Sequence, residues 1–156
     1  MPPEKATFGA GCFWGVEAHF TELPGVLSTA VGYEGGALDR PSYKDVCTGS
    51  TNHAEVVEIA FDPERISFCK LLDAFFSLHD PTQLNRQGPD WGTQYRSVVF
   101  AHSDEQVAEA RHKIAELTTA FPKPIATQVV PAETFWRAEE YHQKYLAKRG
   151  QTSCHF

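Results

Sequence analysis

The chain has 156 residues, of which 42% are hydrophobic and 22% charged, and its formal net charge is −6. This composition is typical of a globular domain and argues against a disordered chain. The negative charge argues against a nucleic-acid-binding surface. The sequence has neither an apolar run long enough to span a membrane nor a secretory signal, so we expect a cytoplasmic protein.

Hydrophobic spacing and turn-forming residues predict strands that alternate with helices. The predicted elements are, in chain order, a strand at 5–9, a helix from 12 to Pro24, strands at 26–33 and 54–61, a helix between Ser67 and Asp80, a strand at 95–101, a helix after the Ser103 cap, a strand at 126–130 and a helix at 138–148. Segments 37–52 and 81–92 are expected to be loops.

This mixture of elements predicts an α/β (α+β) two-layer sandwich with a mixed sheet. No internal repeat or linker divides the chain. We therefore expect one domain over residues 1–156, with a mobile C-terminal tail at about 149–156, and we expect the protein to be a monomer.

Cys12 lies where a glycine-rich turn, Gly-Ala-Gly at 9–11, enters the first predicted helix. The free amide groups and the dipole at a helix start stabilise an anion, and a thiolate is an anion. Cys12 is therefore a candidate nucleophile, although a buried structural cysteine would fit the same position. The next two residues, Phe13 and Trp14, could form an apolar pocket for a methyl or thioether group. Phe13 also lies on the apolar stripe of the helix, which favours core packing, whereas Trp14 lies off that stripe.

Glu55 is the most informative carboxylate, because strand alternation places it on one face with Val57, Ile59 and Phe61. Burial on such a face raises the pKa of a carboxyl group, and a neutral carboxyl can act as a general acid. The alternative is that Glu55 lies at the strand end and reaches water.

Three polar residues, Tyr43, Asp90 and Tyr95, lie in or beside the two long loops. Tyrosine hydroxyls can hydrogen-bond a substrate oxygen, and loops on a rigid scaffold often carry function. Taken alone, each of these residues favours a surface or packing role over a functional one.

The remaining cysteines differ in what they indicate. Cys154 lies two residues before the C-terminal residue, where a tail thiol could reach a sulfenic acid and form a disulfide. Cys69 borders the apolar stripe of a helix, so we expect it to be packed in the core. Cys47 is either a second loop thiol or has no role. No cysteine–histidine set has the spacing of a zinc site.

Several motifs in order along the chain resemble the peptide methionine sulfoxide reductase A family. They are Gly11-Cys12-Phe13-Trp14-Gly15, Gly32-Tyr33 with Gly35-Gly36, the Pro41 to Gly49 segment, His53-Ala54-Glu55, His79-Asp80-Pro81, the Asp90 to Ser97 segment and the Ala138 to Gln143 segment. The resemblance implies a ferredoxin-like arrangement and reduction of the S-epimer of methionine sulfoxide, free or in proteins. It implies no metal or cofactor, only an external dithiol reductant such as thioredoxin.

The resemblance also assigns roles to individual residues. Cys12 matches the nucleophile of the family, and Glu55 matches its proton donor. Two hydroxyl groups, those of Tyr43 and Tyr95, match the groups that bind the sulfoxide oxygen. Residues matching the substrate-binding positions are Asp90, which helps to position the substrate, and Phe13 and Trp14, which surround its methyl group. The tail is short and not glycine-rich, so the assignment of Cys154 as the resolving thiol depends on its position alone.

Three other functions use the same residues. A cysteine hydrolase could pair Cys12 with a histidine such as His142, and a thiol peroxidase could use Cys12 against peroxide. A non-catalytic peptide-binding module could use Phe13 and Trp14 as its groove. Replacing Cys12 with serine separates the enzymes, which would lose turnover, from the binding module, which would keep its affinity.

Overall fold

The computed structural model describes residues 2–148, which form eight strands, five α-helices and two 3-10 helices. The strands are β1 (Glu4–Ala10), β2 (Val26–Glu34), β3 (Ala54–Phe61), β4 (Arg86–Gln87), β5 (Asp90–Trp91), β6 (Ser97–Ala101), β7 (Gln128–Pro131) and β8 (Trp136–Arg137). The α-helices are α1 (Phe13–Thr21), α2 (Tyr43–Cys47), α3 (Phe68–Ser77), α4 (Asp104–Leu117) and α5 (Tyr145–Lys148), and two 3-10 helices cover Thr93–Tyr95 and Glu140–His142.

Six of these strands form one sheet in the order β7-β6-β1-β3-β2-β8. Neighbouring strands are antiparallel except for β6 and β7, which are parallel and are connected through α4. The predicted mixed α/β fold with a mixed sheet is therefore confirmed. The two short strands β4 and β5 form a separate hairpin.

The helices α1, α3 and α4 pack against one face of the sheet and enclose the main core. Phe8 of β1 lies at its centre and stacks on three rings, those of Phe20, Phe68 and Phe75, at centroid distances of 5.4, 5.9 and 4.9 Å. Helix α3 starts at Ser67, whose hydroxyl accepts a hydrogen bond from the Lys70 backbone N–H. A smaller cluster on the opposite face is covered by the segment that leads into β8.

The structure corrects five predictions from the sequence. The segment 81–92, expected to be a loop, contains the β4–β5 hairpin, in which Arg86 pairs with Trp91 and Gln87 pairs with Asp90. The segment 37–52 contains helix α2, which a capping box between Ser42 and Asp45 stabilises. The strand predicted at 95–101 begins only at Ser97, because Thr93–Tyr95 forms a 3-10 turn. The helix predicted at 138–148 is two short pieces, separated at Lys144, whose φ of 52° is incompatible with a right-handed helix. Cys69 is exposed rather than packed in the core, because it lies outside the buried stripe of α3.

Candidate active site

The nucleophile candidate Cys12 is the N-cap residue of α1 and is partly exposed. The chain turns into the helix at Gly11, whose φ of 93° favours glycine. A Cβ atom on residue 11 would lie only 2.9 Å from Cβ of Gln87 in the β4–β5 hairpin. The turn therefore requires glycine for two reasons, and it places the thiol at the positive end of the helix dipole, as the sequence predicts.

Glu55 lies at the start of β3 and is only 1% exposed, so the alternative that it reaches water is wrong. Its Oε1 accepts a hydrogen bond from the Phe13 backbone N–H at 3.2 Å, which places the carboxyl group beside the start of α1. Among the described residues, Oε2 has no hydrogen-bond partner. Burial raises the pKa of Glu55 to about 8; the hydrogen bond from Phe13 opposes this shift, and the nearby charge of Asp90 adds to it. Glu55 is therefore mostly protonated at neutral pH.

Tyr43 at the start of α2 and Tyr95 at the end of a 3-10 turn both lie within electrostatic range of Glu55. Burial is the main cause that raises the pKa of both phenols, and the charge of Glu55 contributes further. Both side chains also interact by hydrogen bonds with the thiol of Cys47. Asp90 in β5 is partly buried, which raises its pKa, and it lies within range of Glu55 and Tyr95. The structure thus brings together the polar residues that the sequence singled out in separate segments.

An aromatic cluster lies at the start of α1. Phe13 is 1% exposed and belongs to the main core, whereas Trp14 is only partly buried. The Trp14 ring stacks on Tyr145 of α5 with centroids 3.9 Å apart and an interplanar angle of 13°. Both Phe13 and Trp14 also face the Tyr43 ring, at 6.2 and 6.4 Å. Trp14 therefore lies at an aromatic surface next to the polar group around Glu55.

Polar residues of the segment 139–143 support this cluster, although the sequence predicts no role for them in sulfoxide chemistry. Glu139 accepts hydrogen bonds from the Tyr33 hydroxyl at Oε1 and from the Tyr43 backbone N–H at Oε2, both at 2.9 Å. His142 is fully buried, and its Nδ1 accepts a hydrogen bond from Trp14 Nε1–H at 2.9 Å. The sequence indicates His142 only as a possible partner of Cys12 in a hydrolase. Both residues lie within one of the motifs of the resemblance, which was the only signal that could have linked them to a sulfoxide site.

The two other cysteines among the described residues differ in their surroundings. Cys47 is exposed at the end of α2, yet it contacts both tyrosines of the site, and burial of the thiol is the main cause that raises its pKa. Cys69 lies on α3, whose buried residues belong to the core rather than to the site. Cys154 and the predicted mobile tail lie outside the described residues.

Residues 2–148 contain no group of three or more histidine, cysteine, aspartate or glutamate side chains that could hold a metal ion. Within the same range, no helix combines the length and the apolar character that crossing a membrane requires.

Comparison with known proteins identifies the family. The family model described as peptide methionine sulfoxide reductase matches residues 4–156. Peptide methionine sulfoxide reductase MsrA of Acidobacterium capsulatum is 69% identical over 153 residues, which are 97% of this chain and 98% of the relative. The crystal structure of Mxr1 from Saccharomyces cerevisiae in reduced form has a TM-score of 0.92 and 39% identity, covering 99% of this chain and 92% of Mxr1. The crystal structure of Mxr1 from Saccharomyces cerevisiae in complex with Trx2 has a TM-score of 0.67 and 27% identity. The match covers 92% of this chain and 85% of the chain in that structure. This chain belongs to the peptide methionine sulfoxide reductase family.

Proposed function

We propose that the protein reduces the S-epimer of methionine sulfoxide, free or within polypeptides, to methionine. The observation that carries this proposal is the buried Glu55 carboxyl group, which hydrogen-bonds the backbone N–H of the residue that follows Cys12. A protonated acid beside a thiol at a helix N-terminus supplies the two groups that sulfoxide reduction needs, a nucleophile and a proton donor.

The reaction begins with attack of the Cys12 thiolate on the sulfoxide sulfur. The sulfoxide oxygen gains a proton from Glu55, and the hydroxyl groups of Tyr43 and Tyr95 donate hydrogen bonds to it. The sulfur–oxygen bond of the substrate then breaks, methionine leaves, and the oxygen becomes the hydroxyl of a sulfenic acid on Cys12. The substrate is reduced by two electrons, and the Cys12 sulfur is oxidised by two. No metal or cofactor takes part.

Phe13 and Trp14 form the pocket for the methyl group of the substrate, and Asp90 helps to position the substrate. The aromatic surface lies on the side of Tyr43 that faces α1. The polar group around Glu55 includes Tyr95 and Asp90. A sulfoxide sulfur carries an oxygen, a methyl group and the methionine chain. An apolar surface for the methyl group, a polar surface for the oxygen and the attacking Cys12 thiolate together supply the three fixed points that distinguish the two epimers.

Regeneration needs a second thiol, and Cys154 condenses with the sulfenic acid to give a disulfide and water. Cys154 is six residues beyond Lys148, the last described residue, which allows a reach of roughly 20 Å. Thioredoxin then reduces the disulfide by exchange, in keeping with the known complex of the relative Mxr1 with Trx2. Mass spectrometry after one turnover should show a Cys12–Cys154 bridge; a Cys12–Cys47 bridge or a persistent sulfenic acid would contradict this assignment.

The architecture supports a ferredoxin-like arrangement within a single catalytic domain. The central strands lie in the order β6-β1-β3-β2 and are antiparallel, and α1 and α3 follow β1 and β3 and pack on the same face. The chain therefore contains two split βαβ units, β1-α1-β2 and β3-α3-β6, which is the ferredoxin-like pattern.

The test of the proposed function is turnover of the separate S- and R-epimers of N-acetylmethionine sulfoxide with dithiothreitol as the reductant. We expect reduction of the S-epimer alone, lost in Cys12→Ser and kept in Cys69→Ser, an exposed cysteine on α3 that serves as the matched control. If a folded wild-type protein reduces neither epimer, the proposal is wrong, and hydrolysis of esters and consumption of peroxide would be measured next.

A further inference from the structure

The orientation of the Trp14 ring depends on residues at the far end of the chain. Trp14 lies on the exposed side of α1, and Tyr145 stacks on its ring. Its indole N–H donates to His142 Nδ1 at 2.9 Å, across 128 residues of sequence. A stack leaves a ring free to slide and rotate in its plane, so the hydrogen bond to His142 is the directional contact that determines where the indole edge lies.

The hydrogen bond also determines the protonation state of His142. A nitrogen that accepts a hydrogen bond carries no proton, so the neutral ring has its proton on Nε2, and a doubly protonated ring could not accept from Trp14. Burial lowers the pKa of His142 and thereby favours the neutral ring. The titratable side chains around this ring are those of Tyr43, Tyr141 and Glu139.

Packing alone does not account for a histidine at this position. His142 is fully buried among aromatic rings, with centroids 4.4 Å from Tyr43 and 5.2 Å from Phe13. Its Nε2 has no hydrogen-bond partner among the described residues. A buried polar group without a partner costs free energy that an apolar ring of similar size would avoid. A histidine at this position bears that cost, and in return its Nδ1 supplies the acceptor for the Trp14 indole N–H.

We propose that His142 is a positioning residue that sets the size of the methyl pocket by holding the Trp14 indole in place. The proposal rests on the proposed function, because it concerns how the same site recognises the substrate. His142 contacts no reacting atom in this account. It acts through Trp14 and, by ring packing, through Tyr43, so that the methyl side and the oxygen side of the pocket are held by one buried ring.

The test compares methionine sulfoxide with ethionine sulfoxide, whose alkyl group is one methylene larger. We expect the wild-type protein to prefer the methyl substrate in kcat/KM by roughly tenfold or more. In His142→Phe, which packs but cannot accept, the preference should shrink roughly fivefold, the effect of one hydrogen bond, mainly through KM for the methyl substrate. His142→Asn, whose amide oxygen can replace Nδ1 as the acceptor, should restore part of the preference. His112→Phe, at an exposed histidine of α4, is the matched control.

A double-mutant cycle separates positioning from general damage to the fold. If His142 acts through Trp14, then His142→Phe should change the methyl preference little in a Trp14→Phe background. Equal losses for both substrates, or no advantage of His142→Asn over His142→Phe, would overturn the proposal even though the wild-type protein reduces sulfoxides. Absence of wild-type reduction would instead contradict the proposed function itself.

Discussion

Replacing Glu55 with glutamine should stabilise the protein at neutral pH, although it removes the proposed proton donor. Burial raises the pKa of Glu55 from 4.5 to about 8 in the folded protein. Between these values the unfolded chain releases the proton of this group while the folded protein retains it. The free energy of unfolding of the wild-type protein therefore falls as pH rises through this window, and glutamine, which does not titrate, avoids the loss.

The magnitude follows from the width of the window. Each pH unit above 4.5 lowers the contribution of Glu55 by about 1.4 kcal/mol, which amounts to about 3 kcal/mol at pH 7. Glutamine keeps an oxygen that can accept from the Phe13 N–H, but its amide N–H2 takes the place of Oε2, which has no partner among the described residues. The effect of placing an amide at the Oε2 position does not depend on pH. The pH dependence of the difference in unfolding free energy between the variant and the wild type therefore reports the ionisation of Glu55 alone.

Urea unfolding of the wild-type protein and Glu55→Gln at half-unit steps from pH 4 to 8.5 measures this difference. The variant should gain about 1.4 kcal/mol relative to the wild type for each pH unit between about 5 and 8, and the gain should level off outside that range. Glu34, whose pKa burial raises to about 7, titrates in both proteins and cancels. Glu109→Gln, at an exposed position of α4 away from Glu55 and Glu34, is the matched control. A difference that does not vary with pH would refute the reasoning.

Three further predictions concern the site. Tyr43→Phe and Tyr95→Phe should each lower kcat roughly tenfold, the effect of about one hydrogen bond, because each removes a donor to the sulfoxide oxygen. Steady-state kinetics with dithiothreitol measures this, and an unchanged kcat in both variants would contradict a role of the tyrosines in the reaction. The kcat/KM of the wild-type protein should fall above a pKa of about 8, where Glu55 loses its proton, as a pH–rate profile would show; a profile that rises through pH 9 would contradict this. Gly11→Ala should lower the free energy of unfolding by about 1–3 kcal/mol, because φ at this position is positive and the new Cβ atom would contact Gln87. Urea unfolding measures this loss, and a loss below about 1 kcal/mol would contradict the prediction.

Regular patterns of the sequence predicted the framework of the fold. The stripe of Phe68, Leu71, Leu72, Phe75 and Phe76 indicated α3, and all five side chains are buried. Alternation along β3 placed Glu55 on the face of Val57, Ile59 and Phe61, and all four are buried. These patterns repeat over two or more turns of a helix or several residues of a strand, so the period identifies both the element and its inner face.

Short elements and long-range contacts were not predictable in the same way. Helix α2 has five residues, too few for a helical period, and only its capping box marked it. The break at Lys144 arises from tertiary contacts: its backbone N–H donates to Glu17 on α1, and the preceding Gln143 side chain binds the Val31 backbone. The hydrogen bond between Trp14 and His142 joins distant segments, and no local spacing predicts such a pair.

The central claim is that Cys12 attacks the sulfoxide while Glu55 supplies the proton, and a single-turnover measurement tests it most directly. Enzyme in the reduced state is mixed with the S-epimer without any reductant, and the methionine formed is followed by rapid quench from pH 6 to 9.5. The account predicts one methionine per protein, none in Cys12→Ser, and a rate that falls above about pH 8 and is strongly reduced in Glu55→Gln. A Glu55→Gln variant with the rate and pH profile of the wild type would contradict it.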